Sequence, residues 1–236
     1  MKKVVGFDQK VQLHQLDFLA QEIPRMGSRD ALYQLVDERL MADIGGIKSR
    51  ANARTILFKI WFLVPSEQTS LRDRALNLFQ QGSLEERLIL HWGMILLAYP
   101  FFKDVVEQLG YLFQLQNEVT SEHIGRKMKG LYGERRRVEV SIGAVLGSLR
   151  SWGVLESGKR NTYTVAMKKE ILSAEIKKWL VQVLLIVTDK TVIEINSIAG
   201  EPCVFPFDLS IMESELLGDE LEITRQGIGR SMVGLR

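Results

Sequence analysis

The chain has 236 residues, of which 46% are hydrophobic and 25% are charged, a composition typical of globular proteins. The single cysteine, Cys203, excludes a disulfide scaffold and a zinc site built from cysteines, and the three histidines lie far apart without metal-ligand spacing. The net charge of +2 neither requires nor excludes a polyanionic partner.

The apolar stretches of the chain are too short to span a bilayer. The longest, Leu88–Phe102, is interrupted by His91 and Pro100, whereas a spanning helix needs about 20 apolar residues. The basic N-terminus also lacks the long apolar run of a secretory signal. We therefore expect a cytoplasmic protein that does not use a membrane as its partner.

The first 117 residues predict a helical domain whose helices are joined by short turns. Ser28 is predicted to cap one helix. Ser49 is predicted to start the next helix, which Pro65 ends. The opposite face of that second helix carries three basic residues: Arg50, Arg54 and Lys59.

A capping box predicts the start of another helix. Ser83 and Glu86 have the spacing at which each side chain satisfies a free backbone N–H of the other residue. The helix that follows is apolar nearly all round from Leu88 to Tyr99, so we expect it at the centre of the helical domain. We interpret His91, inside this helix, as a hydrogen-bonded core histidine rather than a catalytic base.

Charge is distributed unevenly along the chain. Residues 121–170 contain 11 basic and 5 acidic side chains and so carry +6, whereas residues 189–236 contain 4 basic and 9 acidic ones and carry −5. A basic block between more acidic regions points to a local site for a polyanion.

Two helices and a turn are predicted at the start of the basic block. Thr120 or Ser121 can cap a short helix, and Tyr132-Gly133 makes a turn to a longer helix with apolar residues at helical spacing. The outer side of the longer helix is predicted to expose three polar residues: Ser141, Ser148 and Arg150.

A β-hairpin with a basic tip follows these helices. Val154–Ser157 and Thr162–Val165 predict its strands, and Gly158–Asn161 its turn. Helix, turn, helix and hairpin is the order of a winged helix-turn-helix, in which the second helix enters the major groove of DNA and the hairpin tip contacts the adjacent backbone. The predicted DNA contacts are basic and hydroxyl side chains of this region: Lys127, Lys129, Arg135, Arg136, Arg137, Ser141, Arg150, Lys159 and Arg160.

The arginine triplet Arg135–Arg137 stands at the start of the longer helix, where positive charge opposes the helix dipole. This unfavourable placement favours an anionic partner. Two other interpretations remain open: the triplet can be a solvated surface, and winged helices also serve as protein-docking modules that do not touch DNA.

Residues 171–236 predict a C-terminal α+β segment. Ile171–Val187 has helical spacing, although its second half could equally form a strand, and Thr191–Ile195 and Leu221–Thr224 predict strands. We interpret the acidic stretch Glu213–Glu222 as a solvated surface. The alternatives are that it docks a partner or shields the basic block.

The chain carries none of the short motifs that identify common enzyme classes. It lacks a phosphate-binding P-loop, a Gly-x-Ser-x-Gly nucleophile elbow and a His-Glu-x-x-His zinc helix. Cys203 lies among apolar residues, which indicates a core thiol rather than a nucleophile. We therefore expect no catalytic residue, no cofactor and no metal.

Three short segments of the sequence carry a resemblance to a known family, together with the order in which they occur. They are Ser-Arg-Ala-Asn-Ala-Arg from Ser49, Glu-Glu-Arg-Leu-Ile-Leu-His-Trp from Glu85, and Leu-Arg-Ser-Trp-Gly-Val-Leu from Leu149. Together with the predicted winged helix, this layout resembles the small BrxA-type proteins of bacterial BREX phage-defence islands across residues 50–165. The resemblance implies a non-enzymatic, largely helical DNA-binding protein that works with methyltransferase and ATPase partners.

The expected fold class is mainly α with a small β component. We predict a helical domain over residues 1–117, a winged helix-turn-helix over residues 118–170 and the α+β segment over residues 171–236. The expected function is that of a double-stranded DNA-binding accessory protein in phage defence. The alternatives are a protein-docking adaptor and a winged-helix transcriptional regulator with its own operator.

Overall fold

Helices dominate the fold. The computed structural model describes residues 3–227 and 229–236, and 62% of the chain is helical while 12% is in strands, which confirms the predicted class of mainly α with a small β component. The α-helices of the described residues are α1 (Leu13–Glu22), α2 (Arg29–Met41), α3 (Ile47–Trp61), α4 (Thr69–Gln81), α5 (Leu84–Ala98), α6 (Pro100–Leu115), α7 (Ser121–Tyr132), α8 (Arg136–Ser151) and α9 (Ala174–Thr188).

The strands are short and belong to small sheets. Those of the described residues are β1 (Val119–Thr120), β2 (Leu155–Ser157), β3 (Thr162–Val165), β4 (Lys169–Glu170), β5 (Val192–Glu194), β6 (Phe207–Asp208), β7 (Leu221–Gln226) and β8 (Arg230–Leu235). Two antiparallel sheets have the orders β1-β3-β2 and β5-β8-β7, whereas β4 and β6 pair in parallel.

Local capping signals fix several helix ends where the sequence predicts them. Ser28 caps α2 through its side chain, and Ser83 and Glu86 form the reciprocal capping box at the start of α5. The helix predicted to start at Ser49 begins instead at Ile47, because the chain leaves its extended conformation directly after the glycine pair that precedes α3.

Two of the three basic residues predicted on the polar face of α3 are not solvated. Arg50 and Arg54 both donate hydrogen bonds to the Asp37 carboxylate of α2, at 3.2 and 2.5 Å. The guanidinium of Arg54 also lies over the ring of Tyr33, 4.3 Å from its centroid. The side chains of Arg50 and Arg54 are only 11% and 23% exposed, so this network joins α3 to α2.

Helix α5 lies at the centre of the core, as its apolar sequence predicts. Trp92 is fully buried, and Gly93 leaves space for the ring of Trp179 on α9. A Cβ atom at residue 93 would lie 2.4 Å from that ring. One continuous core includes buried residues from Val5 to Val233, so the helical, central and C-terminal regions pack on one another. The domain boundaries at residues 117 and 170 stay predictions.

The interior polar groups of the helical region satisfy one another. The Trp61 indole N–H donates to His91 Nδ1 at 3.0 Å, so His91 carries its proton on Nε2 and donates to Asp17 at 2.9 Å. Burial lowers the pKa of His91, which keeps the ring neutral. Burial raises the pKa of Cys203 to about 12. The predictions of a core histidine and a core thiol are both confirmed.

Among the described helices, none alone is long and apolar enough to cross a membrane. Of the helix pairs in the described residues, α5 and α6 together pass that test of length and composition, and the chain bends by 118° between them.

Candidate nucleic-acid interface

The basic block folds as a continuous series of elements, β1, α7, α8, β2 and β3, that follows α6. Strand β3 lies between β1 and β2, with Tyr163 opposite Val119 on one side and Val165 opposite Leu155 on the other. This pairing brings the end of the block back to its beginning. Helix α7 contacts β1, and α8 contacts β2, so helices and hairpin form one unit.

A tight turn joins α7 to α8. Thr120 caps α7, since its Oγ1 accepts a hydrogen bond from the backbone N–H of His123. The helix ends at Tyr132, and the next residue, Gly133, has a φ of +81°, in the region that favours glycine. Ile124 and Met128 are fully buried, and this apolar side orients the basic side of α7 outward.

The outward face of α8 carries two glycines between arginines at its two ends. Its residues follow helical spacing: Arg136, Glu139, Val140, Gly143, Gly147 and Arg150. Neither glycine contributes a side chain, and at Gly143 the backbone of α8 can be approached closely.

The prediction that Ser141 and Ser148 face outward is wrong. Both residues are fully buried. Ser148 Oγ donates to the Ala144 carbonyl and accepts from the Val11 backbone N–H, while Ser141 Oγ has no hydrogen-bond partner among the described residues. The chain near Val11 covers this side of α8, a contact between distant residues that helical periodicity cannot reveal. Neither hydroxyl is accessible to DNA.

Arg135 is engaged by the backbone. Its Nε and Nη2 atoms donate to the Tyr132 carbonyl at 3.1 and 2.9 Å, and Nη2 also donates to the Lys3 carbonyl at 2.9 Å. Arg135 precedes α8 as its N-cap residue, and its charge lies at the C-terminal end of α7, where the helix dipole favours a cation. Arg135 therefore fixes the turn and the N-terminal chain.

The other two arginines of the triplet have carboxylate neighbours. Arg137 pairs with Asp8 at 3.0 Å, and Arg136 lies 3.5 Å from Glu139 with a side chain that is 86% exposed. Groups within the chain thus offset the positive charge at the start of α8. The dipole argument for an external anion loses its force, and Arg136 is the member of the triplet most available to a partner.

Lys129 and Glu139 form an ion pair between α7 and α8 at 2.8 Å. The hydrogen bond to Glu139 raises the pKa of Lys129, and the same hydrogen bond lowers the pKa of Glu139. The predicted contact Lys129 therefore lies on the outer surface with its charge shared.

The remaining predicted cations carry no such partner. In the described part of the chain, Lys127, Arg150, Lys159 and Arg160 are exposed and form no ion pair. Arg126 belongs to the same class, although the predicted set omits it. Arg126 is adjacent to Lys127 and lies two positions from the buried residues Ile124 and Met128, and this placement predicts that it is on the outer side of α7.

The hairpin tip holds its two cations on a tight turn. The Gly158 backbone N–H donates to the Thr162 carbonyl and closes the loop between β2 and β3. Arg160 and Asn161 both have positive φ, +56° and +57°, within this loop. The compact tip therefore presents Lys159 and Arg160 to solvent, as predicted.

A groove of about 420 Å³ lies between α7, α8 and β3. Arg126 from α7 and Arg150 from α8 line it, with the Lys129–Glu139 pair and the half-buried ring of Tyr163. The two outward glycines of α8 also line it. The fold thus gathers basic side chains from both helices around one concave surface.

Neither metal chemistry nor a relative adds to this description. The residues that the structure describes contain no cluster of three or more His, Cys, Asp and Glu side chains suited to a metal ion. Comparison of the chain with protein-family models, with curated proteins and with solved structures finds no significant match.

Proposed function

We propose that the chain is a non-enzymatic double-stranded DNA-binding protein that binds the duplex through a winged helix-turn-helix formed by residues 118–170. The observation that carries the proposal is the groove between the two helices and β3, where Arg126 and Arg150 lie without a carboxylate partner among the described side chains. Unpaired guanidinium groups gathered on an outward surface repel one another and attract a polyanion.

Helix α8 supports this proposal by its shape. An α-helix with its side chains is about 10–12 Å wide and the major groove is about 12 Å wide. Arg136 and Arg150 stand fourteen positions apart, which is about 21 Å along the helix axis. They can reach separate phosphates, while Gly143 between them, with no described atom outside α8 within 4 Å of its Cβ position, allows close approach to the base edges.

The basic residues outside α8 extend the contact along the backbone of the duplex. Lys159 and Arg160 at the hairpin tip and Arg126 and Lys127 on α7 are exposed cations of the kind that bind phosphate oxygens. Phosphate contacts carry no direct sequence information, so we propose a sequence-tolerant mode of binding.

The resemblance to BrxA-type proteins extends the proposal to a biological setting. In that setting the chain is an accessory of a bacterial phage-defence complex and works beside methyltransferase and ATPase partners. Genes for such partners next to this gene would support the setting. Their absence would contradict the setting without affecting the proposal of DNA binding.

Fluorescence anisotropy with a labelled random-sequence duplex at low salt tests the proposal. We expect wild-type binding, and a loss of about 10- to 100-fold when Arg126 and Arg150 are both changed to Gln. The matched control changes Arg29 and Arg39 to Gln, two exposed arginines of α2, and should alter affinity by less than about 2-fold.

Two outcomes contradict the proposal. One is the absence of binding to any duplex at low salt. The other is equal affinity for the groove variant and the α2 control. Recovery of a protein partner after nuclease treatment, unaffected by the arginine changes, would instead favour the docking adaptor.

A further inference from the structure

The N-terminal segment, residues 3–12, is fixed against α8 before α1 begins. The backbone N–H of Val11 donates to Ser148 Oγ, and the Val11 carbonyl accepts from the Trp152 indole N–H, both at 3.0 Å. The side chains of Val11 and Phe7 are buried in the core. Both sides of the peptide at Val11 are therefore held by α8 and the residue that ends it.

This anchoring orients the preceding residue, Lys10, across the outward face of α8. The Cγ and Cδ atoms of Lys10 lie 3.8 and 3.6 Å from the point that a Cβ atom on Gly147 would occupy. The stem of Lys10 thus passes beside Gly147, at ordinary van der Waals distance from a Cβ atom that the glycine lacks.

Lys10 adds a positive charge beside Gly147, a position at which α8 itself has no side chain. Gly147 and Arg150 are three positions apart on the same helix face, a spacing of about 5–6 Å between Cβ positions. Lys10 is exposed and forms no ion pair within the described residues. The Lys10 stem therefore brings an exposed cation to Gly147, on the helix face that also carries Arg150.

An acidic residue that lines the same small cavity as Lys10 is engaged by other groups. Asp43 lines the small cavity that also contains Lys10, but its carboxylate is engaged by His14 Nε2 at 2.6 Å and by the Gln15 amide at 2.8 Å. The hydrogen bond from Gln15 contributes most to a lowered pKa of Asp43. Asp43 therefore stays ionised and bound to its own neighbours.

We propose that Lys10 is a further DNA-contacting residue. The N-terminal segment positions it beside Gly147 on α8, so that its ammonium binds a phosphate next to the one bound by Arg150. The inference rests on the proposed function, because it adds a residue to the same interface. It makes the N-terminal segment part of the binding surface as well as part of the core.

Charge-matched substitutions test the role of Lys10 in the full chain. Lys10→Gln should weaken binding to a random duplex by about 3- to 10-fold and reduce the slope of log K against log salt by about 0.9, the value of one phosphate contact. Lys10→Arg should restore both quantities. Arg29→Gln removes the same charge from an exposed site on α2 and should change affinity by less than about 2-fold.

A photocrosslinker gives a second, positional readout. Cys203 is buried and its thiol pKa is raised to about 12, so a maleimide reagent will label an introduced surface cysteine selectively. A crosslinker on Lys10→Cys should join the protein to the duplex, and the same reagent on Arg29→Cys should not.

The outcomes separate the two proposals. If wild-type protein binds no duplex, the proposed function and this inference are both overturned. If wild-type protein binds and the Arg126 and Arg150 changes weaken it, but Lys10→Gln behaves like Arg29→Gln and Lys10→Cys gives no crosslink, only the role of Lys10 is overturned.

Discussion

Helices α3 and α8 both carry clusters of arginines, and the fold uses the two clusters differently. In α3, Arg50 and Arg54 turn toward Asp37 on α2 and are mostly buried. In α8, Arg136 and Arg150 point into solvent. The neighbouring helix sets the difference, because α2 offers a carboxylate to α3, whereas α7 brings further basic residues to α8.

A basic sequence can bind an anion only where the fold leaves its charge exposed. Removing one partner of a largely buried ion pair is costly, because the charge that remains has lost both water and its counter-charge. Exposed cations contribute little to stability but remain available to an anion. Changes at α3 should therefore alter the free energy of unfolding, and changes at α7, α8 and the hairpin should alter DNA affinity.

The largest expected effect is on stability, from Asp37→Ala. This change leaves Arg50 and Arg54 without their shared carboxylate, so we expect the free energy of unfolding in urea to fall by about 2–4 kcal/mol. Asp30→Ala, at an exposed position in the first turn of the same helix, should cost less than about 1 kcal/mol. Equal losses for the two variants would refute the structural role of the α3 arginines.

The converse change removes three exposed cations, Arg150, Lys159 and Arg160, by substitution to Gln. We expect duplex affinity at low salt to fall by about 30- to 100-fold, because binding releases fewer counterions from the DNA when phosphate contacts are lost. The free energy of unfolding should stay within about 0.5 kcal/mol of wild type. Unchanged affinity, or a loss of stability on the scale of Asp37→Ala, would contradict the division between the two clusters.

The buried His91 predicts a pH dependence that belongs to the helical region. Its pKa is lowered in the folded protein, so the unfolded chain takes up a proton below about pH 6.5 that the folded chain does not. Stability should therefore fall between pH 7.5 and pH 5.5, with a slope of at most about 1.4 kcal/mol per pH unit from this group.

His91→Gln provides the control for that prediction. Whatever the stability of this variant, its urea midpoint should change less with pH over the same range. Carboxylates with lowered pKa, such as Asp43 and Glu215, lose their contribution only as the pH falls through their folded pKa values, which lie below 3.8 and 4.5. An equally steep pH dependence in the variant would assign the effect to other groups.

The smallest expected effect comes from Asp8→Asn. Asp8 pairs with Arg137 at the edge of the proposed interface, so the change should free that arginine and tighten duplex binding by about 2- to 5-fold. Asp30→Asn alters net charge by the same amount on the exposed surface of α2. If both variants tighten binding equally, the effect is one of total charge and Arg137 takes no part.

Local signals in the sequence predict much of the fold. Ser28, Ser83 and Thr120 cap helices because their side chains accept hydrogen bonds from backbone N–H groups within the next turn. The hairpin of the basic block follows from a polar turn between β-forming residues. The helical spacing of Ile171–Val187 likewise becomes α9, so its alternative as a strand is excluded.

Local signals in the sequence cannot predict pairings between residues that are far apart in the chain. Arg137 meets Asp8 across 129 positions, and the Ser148 hydroxyl meets Val11 across 137. These contacts engage Arg137 and bury the hydroxyl of Ser148. The parallel pairing of β4 with β6 is of the same kind. Sequence periodicity identifies the faces of a helix, but only tertiary packing shows what covers each face.

The salt dependence of duplex binding tests the central claim most directly. For wild-type protein, binding by the exposed cations of α7, α8 and the hairpin predicts a slope of log K against log salt of about −4 to −6. Removal of Arg126, Arg150, Lys159 and Arg160 should make that slope less steep by about 0.9 for each residue. A wild-type slope near zero, or the same slope in the fourfold variant, would contradict the account.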